Sequence, residues 1–377
     1  MRNPHSSVRR SILAAMLGLI AASPVASAAT LRVRPLTTHP SEQQAPAIYQ
    51  QRIVWQDQRN GSWDIFLYDL SAQQEQPLTT AAGDQIAPAI WEHRVVWADQ
   101  SSGRVEFVLH DVLTGQQQRI TPITAALPTT TIWGERIVWI AADRNHDLWV
   151  YDIPSGTQQM LNASSYDDRR PPALWRDRLV HNDFLNGPFS WFALEYHFNT
   201  SLDRFLVFSF DTKKQEWPAI WEDRMVVQEF EIPDAHPNIF LYDLATDERR
   251  QITTDPQDQF LPAIWGERIV WEDHRQGNAD IFLYDLATGQ EQPVVTDPAA
   301  QRHPKISENA IVWEDTRSGN TDIYLAEIDP TAAVPRHTLA TGIEAYHFVN
   351  LAWGKAFDTA QNRFLYTYGM EFGFSPL

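Results

Sequence analysis

Seven copies of one phrase, four strand-length apolar runs inside each copy, and turn-forming residues between the runs predict an all-β fold, a β-propeller of four-stranded blades. The phrase reads "IVWEDHRQGNADIFLYDLATGQ" from Ile269, "IVWQDQRNGSWDIFLYDLSAQQ" from Ile53 and "IVWEDTRSGNTDIYLAEID" from Ile311. Aligned on Ile48, Ile90, Ile132, Leu174, Ile220, Ile264 and Ile306, the copies lie 42, 42, 42, 46, 44 and 42 residues apart. In the sixth copy the runs "PAIW", "RIVW", "DIFLYDL" and "QPVVT" are broken by "GE", "EDHRQGNA" and "ATGQE". None has helix length. Stretches such as Ile65 to Tyr68 are apolar at consecutive positions, so both faces of their sheet must be covered, as happens when blades stack around a ring.

The 377-residue chain opens with Arg2, Arg9 and Arg10, an apolar run from Ile12 to Ala22, and the small-residue sequence "ASA" at Ala26 to Ala28. Residues 1–28 read as a secretory signal peptide removed on export, and the apolar run falls short of the roughly 20 residues that span a bilayer. The Arg9–Arg10 pair leaves Sec and twin-arginine export both open. Loss of this segment removes three positive charges and no negative one, taking the formal charge from −18 to −21. Such a surface repels nucleic acid and anionic lipid. With zero cysteines, disulfides, thiolate catalysis and cysteine metal sites are excluded. The expected location is periplasmic or secreted.

Residues 31–377 are expected to form one propeller, with repeats starting near 46, 88, 128, 172, 218, 262 and 304. The fourth repeat is irregular: His181 stands where other copies carry tryptophan, and Phe189 to Phe198 and Arg204 to Asp211 supply its third and fourth strands. "RPLTTHPSEQQAPAI" at Arg34 matches "QPVVTDPAAQRHPKI" at Gln292, so the first strand after the leader reads as an outermost strand without a blade of its own. Placed on the last blade, it closes the ring and leaves no sticky edge. The seventh repeat has its own candidate outer strand in "RHTLAT", Arg336 to Thr341, and an apolar tail follows that reads as a degenerate repeat near 344. Eight blades closed by the N-terminal strand are therefore expected, with seven as the alternative.

The order P-A-I-W, then R-I-V-W-x-D-x-R-x-G-N-x-D-I-F-L-Y-D-L-A-T-G, then I-T, resembles the WD40-like repeats of TolB-type propellers over about residues 31–329. The resemblance implies the fold and leaves the task open, since such repeats serve unrelated functions. The repeats here follow the leader directly, without the α/β domain that precedes the TolB propeller.

Trp55, Trp97, Trp139, Trp271 and Trp313 share one repeat position, and Trp91, Trp133, Trp175, Trp221 and Trp265 share another, which is the behaviour of blade-packing residues. Trp63, Trp149, Trp191, Trp217 and Trp353 fall outside both columns and are the candidates for ligand contact. The loop "EDHRQGNAD" superficially resembles a calcium loop, but Arg59, Arg275 and Arg317 within these loops oppose a bound cation. Gly61, Gly277 and Gly319 instead suit a positive-φ turn, and Asp57, Asp273 and Asp315 are expected to cap it or pair with the arginine. His39, His236, His274 and His303 sit on loops expected at one mouth of the ring, where a divalent metal is conceivable, although no HxH or HExxH spacing is present. No GxSxG elbow or phosphate loop occurs.

Arg59, His236, His274, Arg275, His303 and Arg317 are the expected binding residues, on loops Gln56 to Ser62, Glu229 to Asn238, Glu272 to Ala279 and Glu314 to Thr321. No catalytic residue and no cofactor stands out. The sequence thus points to an exported, monomeric, non-catalytic module that recognises a protein or a small neutral ligand in the cell envelope. The alternative is a carbohydrate-active lyase or hydrolase, since some proteins with TolB-like repeats are polysaccharide lyases. Enzymatic activity is left open.

Overall fold

The structure, a computed structural model, describes residues 28–142, 147–162, 170–184, 191–199, 202–205, 213–231, 236–329, 355–358 and 363–366. Residues 1–27, nearly all of the expected signal peptide, lie outside them. The chain divides into two units, one through Pro335 and one from Arg336.

In the first unit seven four-stranded antiparallel sheets form a ring. Each blade after the first strand is a meander; in the first blade Gln43–Tyr49, Arg52–Asp57, Asp64–Asp69 and Gln74–Pro77 pair in chain order. The innermost strands are Gln43–Tyr49, Gln85–Trp91, Ala126–Trp133, Ala173–Trp175, Lys213–Trp221, Gln259–Trp265 and Gln301–Ser307. They touch in that cyclic order, the seventh against the first.

Stacked faces explain the uninterrupted apolar runs. Trp55, Trp97, Trp139, Trp271 and Trp313 are 2% exposed or less, and each packs on the preceding blade. Trp271, for example, meets Val226 and Ile239, and Trp55 meets Val312 and Leu325. Burying one such indole removes about 150–250 Å² from water, worth roughly 4–6 kcal/mol at about 25 cal/mol per Å². His181, at the same position in the fourth blade, is buried with Nδ1 beside the Asn182 carbonyl at 3.2 Å. That blade keeps four strands, Trp191–His197 third and Leu202–Phe205 fourth, the last beginning two residues earlier than expected.

The ring closes at seven blades, not eight. Leu31–Pro35 pairs antiparallel with Asp322–Ile328, from Leu31 opposite Ile328 to Pro35 opposite Tyr324, and so takes the outer place of the seventh blade. The eight-blade reading had given that place to Arg336 to Thr341, which lie outside the described residues. In the second unit, Lys355–Asp358 and Arg363–Tyr366 form an antiparallel pair. The closure rests on specific hydrogen bonds between the two ends of the ring. The amides of Leu36 and Thr37 donate to the Ile323 carbonyl, and Thr37 Oγ1 accepts the Ile323 N–H at 2.8 Å. Leu78 and Thr79 do the same to Ile65, and Ile252 and Thr253 to Ile239. Pro35-Leu36-Thr37 is thus built to clamp the third strand of a blade.

Neighbouring blades are also stapled. Arg52, Arg94, Arg136, Arg178, Arg224 and Arg268 open the second strands, and each donates Nη1 to a turn carbonyl of the next blade at 3.0–3.5 Å. The acceptors, Glu92, Gly134, Arg176, Glu222, Gly266 and Glu308, all have φ between 52° and 60°. Ala310 replaces the arginine in the seventh blade, and a cleft of about 290 Å³ opens there against Arg32, Gln51 and Glu308. That junction uses the Gln50 amide instead, which donates to Ser307 Oγ at 2.7 Å.

Removing residues 28–35 is expected to leave Asp322–Ile328 as an unpaired edge and to cause aggregation in light scattering; unchanged scattering with an unchanged melting temperature would refute the closure. Glu92→Gly relieves a left-handed residue and is expected to stabilise the ring by about 1 kcal/mol in denaturant titration.

Candidate functional site

The innermost strands enclose a central channel of about 510 Å³. Its rim is set by a repeated irregularity. All of them but Ala173–Trp175 slip register at a bulge, as between Gln44 and Ala47 or between Phe260 and Ala263. There the residue before proline is left-handed: Ala45, Ala87, Trp217, Leu261 and His303 have φ of 51–54°. Proline has no N–H to lose from the ladder, and the preceding amide turns toward the neighbouring blade. Ala45 N–H donates to Glu314 Oε1 at 2.8 Å, Ala87 to Gln56 Oε1 at 2.9 Å, and Leu261 to Gln228 Oε1 at 3.1 Å. These bonds offset a backbone cost of about 1–2 kcal/mol per residue.

Successive inward positions of a strand are two residues apart. The layer below the bulge is Ala47, Ala89, Thr131, Ala173, Ala219 and Ala263, with Lys305 from the seventh blade. The next layer is Tyr49, Trp91, Trp133, Trp175, Trp221 and Trp265, with Ser307 from the seventh. Trp133 and Trp175 lie 4.0 Å apart by ring centroids, Trp175 and Trp221 3.9 Å, and Trp221 and Trp265 4.0 Å. Tyr49 also reaches Trp265 at 5.6 Å and Trp133 at 6.0 Å, contacts that skip a blade. Rings that skip blades must meet on the axis, so the six aromatic side chains cluster there. This column packs between blades as expected, Trp175 for example against Ile220 and Phe240 of the next blade, and its position also points inward. Of the off-column tryptophans, Trp217 lines the channel.

The seventh blade breaks the apolar pattern at all three inward positions, His303, Lys305 and Ser307. His303 Nδ1 lies 2.8 Å from Glu314 Oε2. Lys305 makes no hydrogen bond or ion pair with the described residues. It meets the channel's water yet has protein on every side, and this desolvation holds its ammonium below the usual lysine range against the opposing charge of Glu314.

The loop arginines belong to the framework. Arg59 donates from its amide and Nε to Asp57 Oδ1, from Nη2 to Asp57 Oδ2 at 2.6 Å, and from Nη1 to Glu75 at 2.6 Å, over the Phe66 ring. Arg275 repeats this on Asp273, Glu291 and Phe282, and Arg317 on Asp315 and Tyr324. The indoles of Trp55, Trp271 and Trp313 donate to the same aspartates. Gly61, Gly277 and Gly319 have φ of 93°, 90° and 99°, as their turns require. The second blade delivers its guanidinium from the outer strand, Arg119 to Asp99 at 2.9 Å, and the fifth sets Arg249 on Glu229. Burial pushes Glu229 up, but bonds from Arg249, Tyr242 and Gln215 outweigh it and hold the carboxyl below its usual range. In the third blade Ala141 replaces the aspartate, and Trp139 Nε1 has no hydrogen-bond partner among the described residues.

The second-to-third turns and the loops between blades meet on one face: Gln43 N–H donates to the Thr321 carbonyl, Gln259 to Pro237 and Gln301 to Ala279. The histidines there are not brought together. His274 Nε2 lies 2.9 Å from Glu272, whose hydrogen bond raises the imidazole above its usual range against desolvation. His236 Nδ1 lies 2.5 Å from Asp258, and His39 Nδ1 accepts the Ser41 amide at 3.2 Å. Among the described residues no group of three or more His, Cys, Asp or Glu side chains is placed to hold a metal.

Asp273→Ala should lower stability by about 3 kcal/mol in calorimetry, since it strands Arg275 and the Trp271 indole together. A change below about 1 kcal/mol would refute the clamp.

No protein-family model and no curated protein sequence matches the chain. Solved structures do. An oligogalacturonate lyase in complex with manganese superposes with a TM-score of 0.63 at 13% identity, covering 81% of this chain and 96% of that one. The oligogalacturonate lyase of Vibrio parahaemolyticus gives 0.61 at 13% identity, covering 82% and 96%. The β-propeller domain of the Trilobed protease from Pyrococcus furiosus, described as having an open velcro topology, gives 0.59 at 11% identity, covering 77% and 93%. At these identities the likeness is one of fold, and the chain is a seven-bladed β-propeller.

Proposed function

We propose that this protein is an exported recognition propeller that binds its ligand in the central channel and performs no chemistry on it. One observation carries the reading: the inner strands leave about 510 Å³ of space lined mainly by alanine, proline and isoleucine, and the aromatic rings of the same strands cluster beyond it. That is the size and lining of a small-molecule or side-chain pocket. The loop face around the mouth is held by backbone hydrogen bonds between turns, which suits contact with a protein that presents the ligand. Binding of this kind requires no cofactor. With residues 1–28 removed, the mature chain acts in the periplasm or outside the cell. The alternative lyase or hydrolase activity rests on likeness of fold at 13% identity.

Filling the channel tests the proposal. Ala219→Phe places a ring in the wall and is expected to keep the melting temperature while abolishing capture of the partner or ligand that the wild-type chain retains from periplasmic extract with chelator present. Equal retention by both proteins would sink the channel as the site. N-terminal sequencing of the exported chain should begin at Ala29, and a mature protein still carrying Met1 would remove the export reading.

A further inference from the structure

We infer that the channel takes a small organic carboxylate, its anionic end on Lys305 and its apolar body against the alanine wall and Trp217. The inference deepens the channel-binding reading and rests on it.

Symmetry supplies the first argument. Six blades place Ala47, Ala89, Thr131, Ala173, Ala219 and Ala263 where the seventh places Lys305. The fold therefore closes with a small residue at this position, and packing does not demand a cation there. Lys305 is open to the channel and takes no part in the packed wall, so its cation is available to whatever enters.

The second argument concerns pairing. Glu314 is the acid that shares the channel, and it is held away from a close ion pair with Lys305 by the Ala45 amide on Oε1 at 2.8 Å and His303 beside Oε2 at 2.8 Å. Ser307, one layer deeper, accepts the Gln50 amide at 2.7 Å. Lys305 is thus left with three donors facing the cavity and no ion pair among the described residues. A carboxylate satisfies them, whereas a cationic ligand is repelled.

The rest of the ligand follows from the walls. Alanine, proline and isoleucine line the sides and Trp217 stands among them, an environment for an apolar body with one aromatic face to meet. The acidic surface does not forbid an anion within, because fields decay over about 8 Å in physiological salt.

Calorimetry and tryptophan fluorescence with 3-phenylpropionate and indole-3-acetate, each against its primary amide, test the inference. The carboxylates should bind about 10-fold or more tightly than the amides, as a charge-assisted hydrogen bond implies. Lys305→Met should remove that preference and leave amide binding and the melting temperature unchanged. Should Lys305→Met fail to fold, salt gives the same readout on the wild-type protein: carboxylate affinity falls with added NaCl and amide affinity does not. Equal binding of acid and amide, a preference that survives Lys305→Met, or no carboxylate binding would overturn the inference. If no probe binds while Ala219→Phe still releases the captured partner, the carboxylate assignment fails and channel recognition stands.

Discussion

Every blade of this protein depends on the blade beside it. Its strands are apolar on both faces, and the central tryptophan of the second strand, Trp55, Trp97, Trp139, Trp271 or Trp313, is covered by the preceding sheet. A single four-stranded unit leaves that indole in water, so the energy that holds one blade lies largely at its two interfaces. A row of such units always exposes two faces. Only a closed ring exposes none, and the N-terminal strand covers Asp322–Ile328 and gives the seventh blade its fourth strand.

Polar groups follow the same logic of cover and supply. On one face an arginine from each of six blades reaches a left-handed turn carbonyl of the next blade. On the other, bulge amides reach side-chain oxygens of the preceding blade. Within blades, a buried carboxylate at the end of the second strand draws a guanidinium from whatever position the sequence offers. It comes from the turn in Arg59, Arg275 and Arg317, and from the outer strand in Arg119 and Arg249. Ala141, which has no carboxylate to offer, leaves the Trp139 indole without a hydrogen-bond partner among the described residues. The constraint conserved from blade to blade is electrostatic satisfaction in a dry interface, and the residue positions that meet it vary.

The repeated framework also makes departures from it legible. Six blades line the channel with small uncharged residues and carry aromatic rings beyond them, and the seventh places His303, Lys305 and Ser307 there. Nothing in the ring's closure calls for the lysine, which places the protein's chemical individuality on one inner strand. The loop arginines first suspected of binding are structural for the same reason: a residue written into several blades answers a need that several blades share.

The strand period, the four-stranded blade, the Asp–Arg pairing across a glycine turn and the outer-strand character of the N-terminal segment were all legible in the text. Each is settled by partners a few residues apart or by a pattern repeated in every copy. The blade count was not, because it turns on a pairing between residues about 285 positions apart, such as Thr37 and Asp322, and two candidate segments carried similar local chemistry. Nor was the fate of the second tryptophan column: alternation shows that Trp91 and its relatives share a face with Ala89 and its relatives, but only the closed ring turns that face toward an axis. His303 was singled out from its loop, while Lys305 was invisible, since a lysine in a strand gives no sign of what surrounds it until seven strands do. Local sequence determined what each blade is; the circle decided how many there are and what lies at the centre, because enclosure is a property of the whole ring.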